Sequence, residues 1–195
     1  MDIDIEPTDL EGVLLVRPEA FEDERGVFYE SWSRRMFADH GLHVDFVQDN
    51  HSRSRRGVLR GLHYQDSSAP QVRLVRCTVG TVFDVVVDLR VGSPTFAHWF
   101  GVELRADDRT QLLIGPEFAH GFLALSDVAE VQYKCSRPHA PSAERSVSWA
   151  DRTLAISWPV RDPILSARDS AAPPLDAYLG DPCFIWAPPK VSRIG

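Results

Sequence analysis

Two histidines lie among apolar residues in strand-like segments, and they are the first candidates for chemistry in this chain. His63 belongs to VLRGLHYQ, residues 58–65, and His120 belongs to FAHGF, residues 118–122. A histidine in such a segment can bind a metal, transfer a proton, or lie hydrogen-bonded in a core. The residues around each histidine distinguish these three uses.

The residue pattern argues against a metal site. A catalytic metal normally needs three or more ligands, commonly histidines with a carboxylate. Tyr64 and Gln65 follow His63, so a second histidine and a glutamate are both missing at ligand spacing, and His120 is alone in its segment. The three cysteines also lack the spacing of metal ligands: Cys77, Cys135 and Cys183. The sequence therefore predicts a metal-free protein, with iron bound through both histidines as a weak alternative.

The polar surroundings of His63 favour proton transfer for this residue, whereas core packing and ligand contact both stay open for His120. Proton transfer by His63 would require a carboxylate to fix its tautomer and a proton donor on the far side of the substrate. Residue spacing alone does not identify these partners. The polar residues near His63 in sequence are Gln48, Asn50, Arg60, Gln65 and Arg73.

Arg60 and His63 are an odd number of residues apart and would face opposite sides of an ideal strand. A bulge at Gly61 would bring both side chains to one side. We expect the segments 57–65 and 72–78 to be adjacent strands, which would place Arg73 beside His63.

The elements that must position these residues are short extended segments separated by turn residues. In TVFDVVVDLR, Phe83, Val85, Val87 and Leu89 fall on one face, and the other face is half polar. Ser33–Gly41 predicts a helix capped by Ser33, and residues 166–180 predict one or two short helical turns. The predicted strands are Val13–Val16, Val27–Trp32, Asp45–Asn50, Gly57–Gln65, Val72–Thr78, Val82–Leu89, His98–Leu104, Gln111–Ile114, Phe118–Leu125, Ala129–Cys135, Arg145–Trp149 and Thr153–Ser157. This pattern predicts an all-β, antiparallel jelly-roll (cupin-like) barrel with a few short helices.

The bulk composition limits the partners. Lys plus Arg is 21 and Asp plus Glu is 28, a net charge of −7 over 195 residues, which disfavours nucleic acid and membrane surfaces as partners. The sequence predicts no signal peptide and no membrane span, and therefore a cytoplasmic protein. We expect one domain over residues 1–180 and a Pro-rich tail over 181–195. Its Phe184, Ile185 and Trp186 are expected to pack on the domain or on a second subunit.

Several runs in unbroken order, between about residues 10 and 177, carry a resemblance to a known family. They are FEDERGVFYESW, FVQDNHSRSRRGVLRGLHYQ, VRLVRCTVGTVFDVVVDLRVGSPTF, FAHGF, VQYKCS, WADRTLAISWP and ILSARDSAAPPLD. In these runs the chain resembles the dTDP-4-dehydrorhamnose 3,5-epimerases of deoxysugar biosynthesis. The resemblance implies a homodimer with no metal and no cofactor, and a substrate that is a dTDP-4-keto-6-deoxyhexose.

The resemblance also implies roles for individual residues. His63 would be the base, Asp169 would orient it, and Tyr133 would be the acid on the opposite face of the sugar. Arg60 and His120 would contact the sugar or the phosphates. Further substrate contacts are implied for Arg25, Glu30, Gln48, Asp49 and Asn50, and for Glu144 and Arg168. Phe21 and Phe28 would stack on the thymine, with packing in the core as the equal alternative for both.

Three departures from the family pattern bear on substrate handling. Arg73 replaces a lysine, so a planar guanidinium would stabilise the developing enolate. His139 replaces a second tyrosine near the sugar. Gly115-Pro116-Glu117 moves the Gly and Pro of the loop before His120. With Glu117 at a position where a Gly can adopt positive φ, we expect this loop to be shifted or strained. A C3-only epimerase and a non-catalytic nucleotide-sugar binding module are therefore alternatives to the double epimerase.

Overall fold

The computed structural model describes residues 1–188, which form two packed antiparallel sheets and one separate hairpin. Ordered as they lie side by side, the strands of the six-stranded sheet are β1 (Ile3–Pro7), β2 (Val13–Pro18), β10 (Gln111–Ile114), β7 (Arg73–Val79), β12 (Val128–Cys135) and β5 (Gln48–Arg55). Those of the five-stranded sheet are β13 (Glu144–Ser146), β6 (Leu59–Gln65), β11 (Phe118–Ala124), β8 (Thr81–Asp88) and β9 (Trp99–Arg105). The hairpin consists of β3 (Ala20–Asp23) and β4 (Gly26–Tyr29). The predicted all-β, antiparallel fold class is confirmed.

The main core lies between the two sheets and follows from the alternation of side chains along the strands. β8 contributes Val82 and Val86 to this core, and β7 and β12 contribute Val75 and Val131 from the other sheet. Asp84 shares the inward face of β8 and is fully buried. The half-polar face predicted for this strand therefore points into the interior, where a charged residue needs a partner.

Helices and loops cover the outer faces of both sheets. The helix α1 (Arg34–Asp39) packs Met36 and Phe37 on the six-stranded sheet, and the Oγ of Ser33 caps it as predicted. The helices α2 (Ala167–Ser170) and α3 (Leu175–Gly180) confirm the predicted helical turns, and a 3₁₀ turn spans Pro141–Ala143. On the outer face of the five-stranded sheet, Phe184 of the tail is buried against Tyr64 and Tyr178.

Several sequence predictions at the level of elements are wrong. Residues 153–157, predicted as a strand, form a turn and irregular chain. The sequence analysis did not predict β1 and β3, which are strands of five and four residues that include acidic residues. Ile185 of the tail is 68 % exposed in the single chain, so its expected packing on the domain is not seen, and packing on a second subunit stays a prediction. Residues 189–195 of the predicted tail lie outside the described residues. In residues 1–188, no helix combines the length and the apolar character that crossing a membrane requires.

Candidate active site

A cavity of about 330 Å³ opens between the two sheets and collects most of the polar residues singled out from the sequence. β5, β7 and β12 line it from the six-stranded sheet, and β6 and β11 line it from the five-stranded sheet. The polar or aromatic side chains around it are Gln48, Asn50, Arg60, His63, Gln65, Gln71, Arg73, His120, Phe122, Tyr133, His139 and Glu144.

His63 is held by a carboxylate that lies 106 residues away in sequence. Its Nε2 is 2.5 Å from Oδ1 of Asp169, which α2 places against β6. The Ser166 hydroxyl caps α2 by accepting a hydrogen bond from the Asp169 backbone N–H. Burial would raise the pKa of Asp169, but the hydrogen bond and the charge of His63 outweigh this effect and lower it. Nδ1 of His63 is therefore the ring nitrogen left to accept a proton.

A bulge in β6 brings Arg60 and His63 to the same cavity, as the sequence predicted. His120 of β11 pairs with His63, whereas Phe122 pairs with Arg60, so β6 contains one residue more than β11 over this interval. Gly61 makes the bulge possible, because its φ is +144° and a Cβ there would lie 2.5 Å from the Gly121 Cα.

His120 has its own buried carboxylate partner. Its Nε2 lies 2.9 Å from both carboxylate oxygens of Asp84 on the neighbouring strand β8. Burial raises the pKa of Asp84 and is the largest influence, while the charge and hydrogen bond of His120 oppose it. The open question about His120 is thus resolved in part, because this residue is a hydrogen-bonded interior histidine that also borders the cavity.

Tyr133 approaches the cavity from the opposite sheet to His63. It lies on β12 and pairs with Asn50 of β5, whose amide lies 3.0 Å from that of Gln48. Burial raises the pKa of Tyr133, and the nearby Arg73 and Asn50 oppose that shift. A tyrosine with a raised pKa is protonated at neutral pH and can serve as a proton donor.

Arg73 contacts His63 differently from the sequence expectation. β6 and β7 belong to different sheets, so the prediction that they are adjacent strands is wrong. Arg73 instead reaches across the interior and donates from Nη1 to the His63 carbonyl oxygen at 3.0 Å. Its Nε donates to Oε1 of Gln71 at 3.2 Å. Burial lowers the pKa of Arg73, against the influence of Cys135, Tyr133 and Glu144, but a guanidinium stays charged at neutral pH.

Charged residues at the cavity rim form a chain of contacts. Glu144 is 2.7 Å from Nη1 of Arg168 and 3.2 Å from Nε2 of His139. Burial would raise the pKa of Glu144, but Arg168 and His139 outweigh it and lower the pKa. The backbone N–H of His139 also donates to Oε1 of Gln48. This contact joins the loop before β13 to the strand that contributes Asn50.

Other predicted substrate contacts lie away from the cavity within this chain. Phe21 and Phe28 on the β3–β4 hairpin are 54 % and 65 % exposed. Arg25 at the hairpin turn is paired with Asp23. Two further residues are exposed: Glu30 follows the hairpin, and Asp49 lies on the outer face of the six-stranded sheet, where it pairs with Lys134.

Glu117 does not have the positive φ that would strain the Gly115-Pro116-Glu117 loop, contrary to one of the two sequence expectations. Among residues 1–188, the non-glycine residues with positive φ are Ala97, Arg109 and Ala155, so Glu117 does not occupy the left-handed region. The carbonyl of Glu117 accepts a hydrogen bond from the Leu89 backbone N–H, and this bond helps position the start of β11.

Sequence reasoning missed two buried polar residues that hold the cavity side chains in place. Asp84 is the partner of His120, and its signal was an acidic residue on the same strand face as Val82 and Val86. Gln71 is the partner of Arg73, and it precedes β7 without any pattern that marks it. Within the described residues, no three His, Cys, Asp or Glu side chains come together as a group able to hold a metal.

Comparison with known proteins gives one consistent result. A family model described as dTDP-4-dehydrorhamnose 3,5-epimerase matches residues 7–177. The dTDP-4-dehydrorhamnose 3,5-epimerase of Pseudomonas aeruginosa is 54 % identical over 174 residues, which cover 88 % of this chain and 94 % of that protein. A Legionella pneumophila epimerase solved with dTDP-4-keto-L-rhamnose aligns with a TM-score of 0.90 at 42 % identity, covering 95 % of this chain and 99 % of that one. A 3′-monoepimerase from Streptomyces bikiniensis solved with dTDP-quinovose has a TM-score of 0.84 at 36 % identity and 89 % coverage of both chains.

Proposed function

Because the chain belongs to the dTDP-4-dehydrorhamnose 3,5-epimerase family, we propose that it inverts C3 and C5 of dTDP-4-dehydro-6-deoxy-D-glucose to give dTDP-4-dehydro-L-rhamnose. One observation carries the proposal: the carboxylate-bound His63 and the half-buried Tyr133 border one cavity from opposite sheets. An epimerase that removes a proton from one face of a sugar and returns one to the other needs such an arrangement.

The chemistry follows from the ketone at C4. C3 and C5 are both α to this ketone, so removal of either proton gives an enolate. His63 accepts the proton at Nδ1, while Asp169 stabilises the imidazolium. The electrons of the broken C–H bond move toward the C4 oxygen. Tyr133 then protonates the same carbon from the opposite face, which inverts it. Water then takes the proton from His63 and returns one to Tyr133, and repetition at the second carbon completes the reaction. No redox cofactor is required, because the substrate gains and loses no net electrons.

Cationic residues around the cavity suit a substrate with negative charge at two places. Arg73 lies close to His63, where it can stabilise the developing enolate oxygen. Arg60 and the Asp84-bound His120 lie on neighbouring strands and suit the diphosphate. Arg60 and Arg73 supply positive charge locally within a protein of net charge −7.

The decisive experiment follows solvent deuterium at C3 and C5. The protein is incubated with dTDP-4-dehydro-6-deoxy-D-glucose in D2O and the sugar is observed by NMR. We expect deuterium at both carbons and inversion of both. Absence of deuterium at either carbon would contradict the proposal, and tight dTDP binding without exchange would identify a non-catalytic binding module. His63→Ala should abolish exchange, and unchanged exchange would refute its role as the base.

Tyr133→Phe separates the two proton transfers. It retains the ring and removes only the hydroxyl, so His63 can still remove a proton and return a deuteron to the same face. We expect inversion to fall by about 10²- to 10⁴-fold, while deuterium still enters with the original configuration. Equal losses of exchange and inversion would contradict Tyr133 as the acid for the opposite face.

A C3-only epimerase is the second candidate, and His139 favours it. This residue takes the place of the family's second tyrosine and borders the cavity. It is partly exposed, and its Nε2 contacts Glu144. A changed aromatic group there can alter how the sugar ring is held between the two inversions. In the same NMR experiment, deuterium at C3 with none at C5 would select this function.

We propose a cytoplasmic homodimer as the working form, and the exposed hairpin supports the dimer. Phe21, Arg25 and Phe28 border a shallow pocket of their own, separate from the main cavity. Exposed aromatic side chains in such a cluster favour an interface. The hairpin of one protomer would then supply the thymine and nucleotide contacts to the cavity of its partner.

A further inference from the structure

We propose that Gln71 is a positioning residue that fixes the guanidinium of Arg73 so that one edge holds the His63 strand and another faces the C4 oxygen of the sugar. This inference rests on the function proposed above. It concerns the hydrogen bond between Gln71 and Nε of Arg73. A lysine at position 73 would have no Nε donor for the Gln71 amide to hold.

The amide of Gln71 is itself fixed at both ends. Its Nε2 donates to the carbonyl oxygen of Arg137 at 2.7 Å, and its Oε1 accepts from Nε of Arg73 at 3.2 Å. The donation to Arg137 defines which end of the amide is the oxygen, so an acceptor necessarily faces the guanidinium. Gln71 is 7 % exposed, and a buried amide with both groups bonded has little freedom to rotate.

The guanidinium is thereby held from two directions. Nε is held by Gln71 and Nη1 is held by the His63 carbonyl, so the plane of the group is defined. Within residues 1–188, Nη2 has no hydrogen-bond partner, although Arg73 borders the cavity. Nη2 therefore supplies a donor for the enolate oxygen, and its orientation is set before the substrate binds.

The bond to the His63 carbonyl adds a second consequence. Arg73 lies on the sheet that contains Tyr133, whereas His63 lies on the other sheet. The guanidinium thus links the backbone of the base to the sheet of the acid. Without the Gln71 contact, the guanidinium would be free to move, so both its bond to the His63 carbonyl and its donor to the enolate would be less well placed. A displacement of about 1 Å can lower a catalytic rate by about 100-fold.

A double-mutant cycle tests the inference. The four proteins are the unaltered chain, Q71M, R73K and Q71M/R73K, because methionine keeps the length of glutamine without its hydrogen bonds. In the arginine background we expect Q71M to lower kcat by about 10- to 100-fold and to change KM by less than about threefold. In the lysine background we expect Q71M to change kcat by less than about threefold, because no Nε is present to be held.

Gln65 offers a matched control. It is another buried glutamine that borders the cavity, and it bonds the Ala140 backbone N–H rather than Arg73. Q65M should therefore change kcat by the same factor in the arginine and lysine backgrounds. If Q71M is recovered unfolded, Q71N shortens the amide by one methylene group and is expected to show the same dependence on Arg73.

The outcomes are distinguishable. Equal effects of Q71M in both backgrounds, or no effect in the arginine background, would overturn the inference while leaving the epimerase function intact. Absence of deuterium exchange with the unaltered protein would overturn the proposed function and this inference together. A loss of kcat confined to the arginine background would support it.

Discussion

Asp84 and His120 form a buried pair in which both carboxylate oxygens lie 2.9 Å from the histidine Nε2, and Asp84 has no exposed surface. Removing Asp84 leaves the buried imidazole of His120 without its hydrogen-bond partner, at a cost of about 1 to 3 kcal/mol. We expect Asp84→Ala to lower the free energy of unfolding by about this amount, as measured by urea denaturation. The Asp84→Ala/His120→Ala protein should lose less than the sum of the two single losses. Additive losses would contradict a coupled pair.

The pair of His63 and Asp169 predicts both an activity and a pH effect. Asp169→Asn removes the charge that stabilises the imidazolium, so kcat should fall by about 10²- to 10⁴-fold. The pKa of Asp169 is lowered in the folded protein from its ordinary value of 3.8. Its contribution to stability is therefore present above pH 3.8 and is lost as the pH falls through the folded pKa.

The direction of this pH dependence is tested by measuring the free energy of unfolding of the unaltered protein and of Asp169→Asn from pH 7 to pH 3. The difference between their free energies of unfolding should narrow as the pH falls, because protonation of Asp169 removes the same charge as the substitution. A difference that stays constant across this range would show that the Asp169 charge does not stabilise the fold.

Gly61 and Gly57 form a matched pair of substitutions. Both have positive φ, but a Cβ at Gly61 meets the Gly121 Cα at 2.5 Å, whereas at Gly57 nothing lies within 4 Å. Gly57→Ala should cost about 1 to 2 kcal/mol through backbone strain alone. Gly61→Ala adds a clash between paired strands, so it should cost about 3 kcal/mol or more and should displace His63. Thermal or urea unfolding and kcat measure the two effects, and equal stability losses would contradict the close packing of β6 on β11.

The sequence was sufficient for the parts of this site that depend on local pattern. Arg60 and His63 are two residues of one strand, and the glycine between them was enough to predict a bulge. The sequence correctly predicted that Arg73 lies close to His63, but the prediction that their strands are adjacent in one sheet was wrong. The order of strands in the sequence does not show which sheet each strand joins. Contacts between residues far apart in the sequence decide which sheet each strand joins.

The sequence also did not show which residues are the partners of buried polar side chains. Asp84 lies inside an apolar strand, where an acidic residue needs a partner, yet only strand pairing reveals that this partner is His120. Asp49 shows the opposite case. It neighbours two cavity residues in sequence, but strand alternation turns its side chain to the outer face, where it pairs with Lys134.

The hairpin predicts complementation between protomers. We expect Arg25→Ala/Phe28→Ala to weaken activity mainly through KM for the nucleotide sugar, because the side chains of both residues are largely exposed in the single chain. If the hairpin acts on the partner's cavity, a heterodimer of this variant with His63→Ala contains one site with both defects and one site with neither. At a substrate concentration well below the raised KM, where each variant alone is nearly inactive, random mixing should then restore about one quarter of the unaltered activity.

Mixing and refolding of the two variants, followed by the C3 and C5 deuterium assay, measures this restoration. The matched control combines His63→Ala with Asp169→Asn. These residues contact each other within one chain, so every heterodimer site carries one of the two defects and little activity should return. Restoration in the control as well would contradict the reasoning about which protomer supplies each residue. Failure of the hairpin mixture to recover activity, with heterodimers shown by native mass spectrometry, would mean that Arg25 and Phe28 do not complete the partner's site.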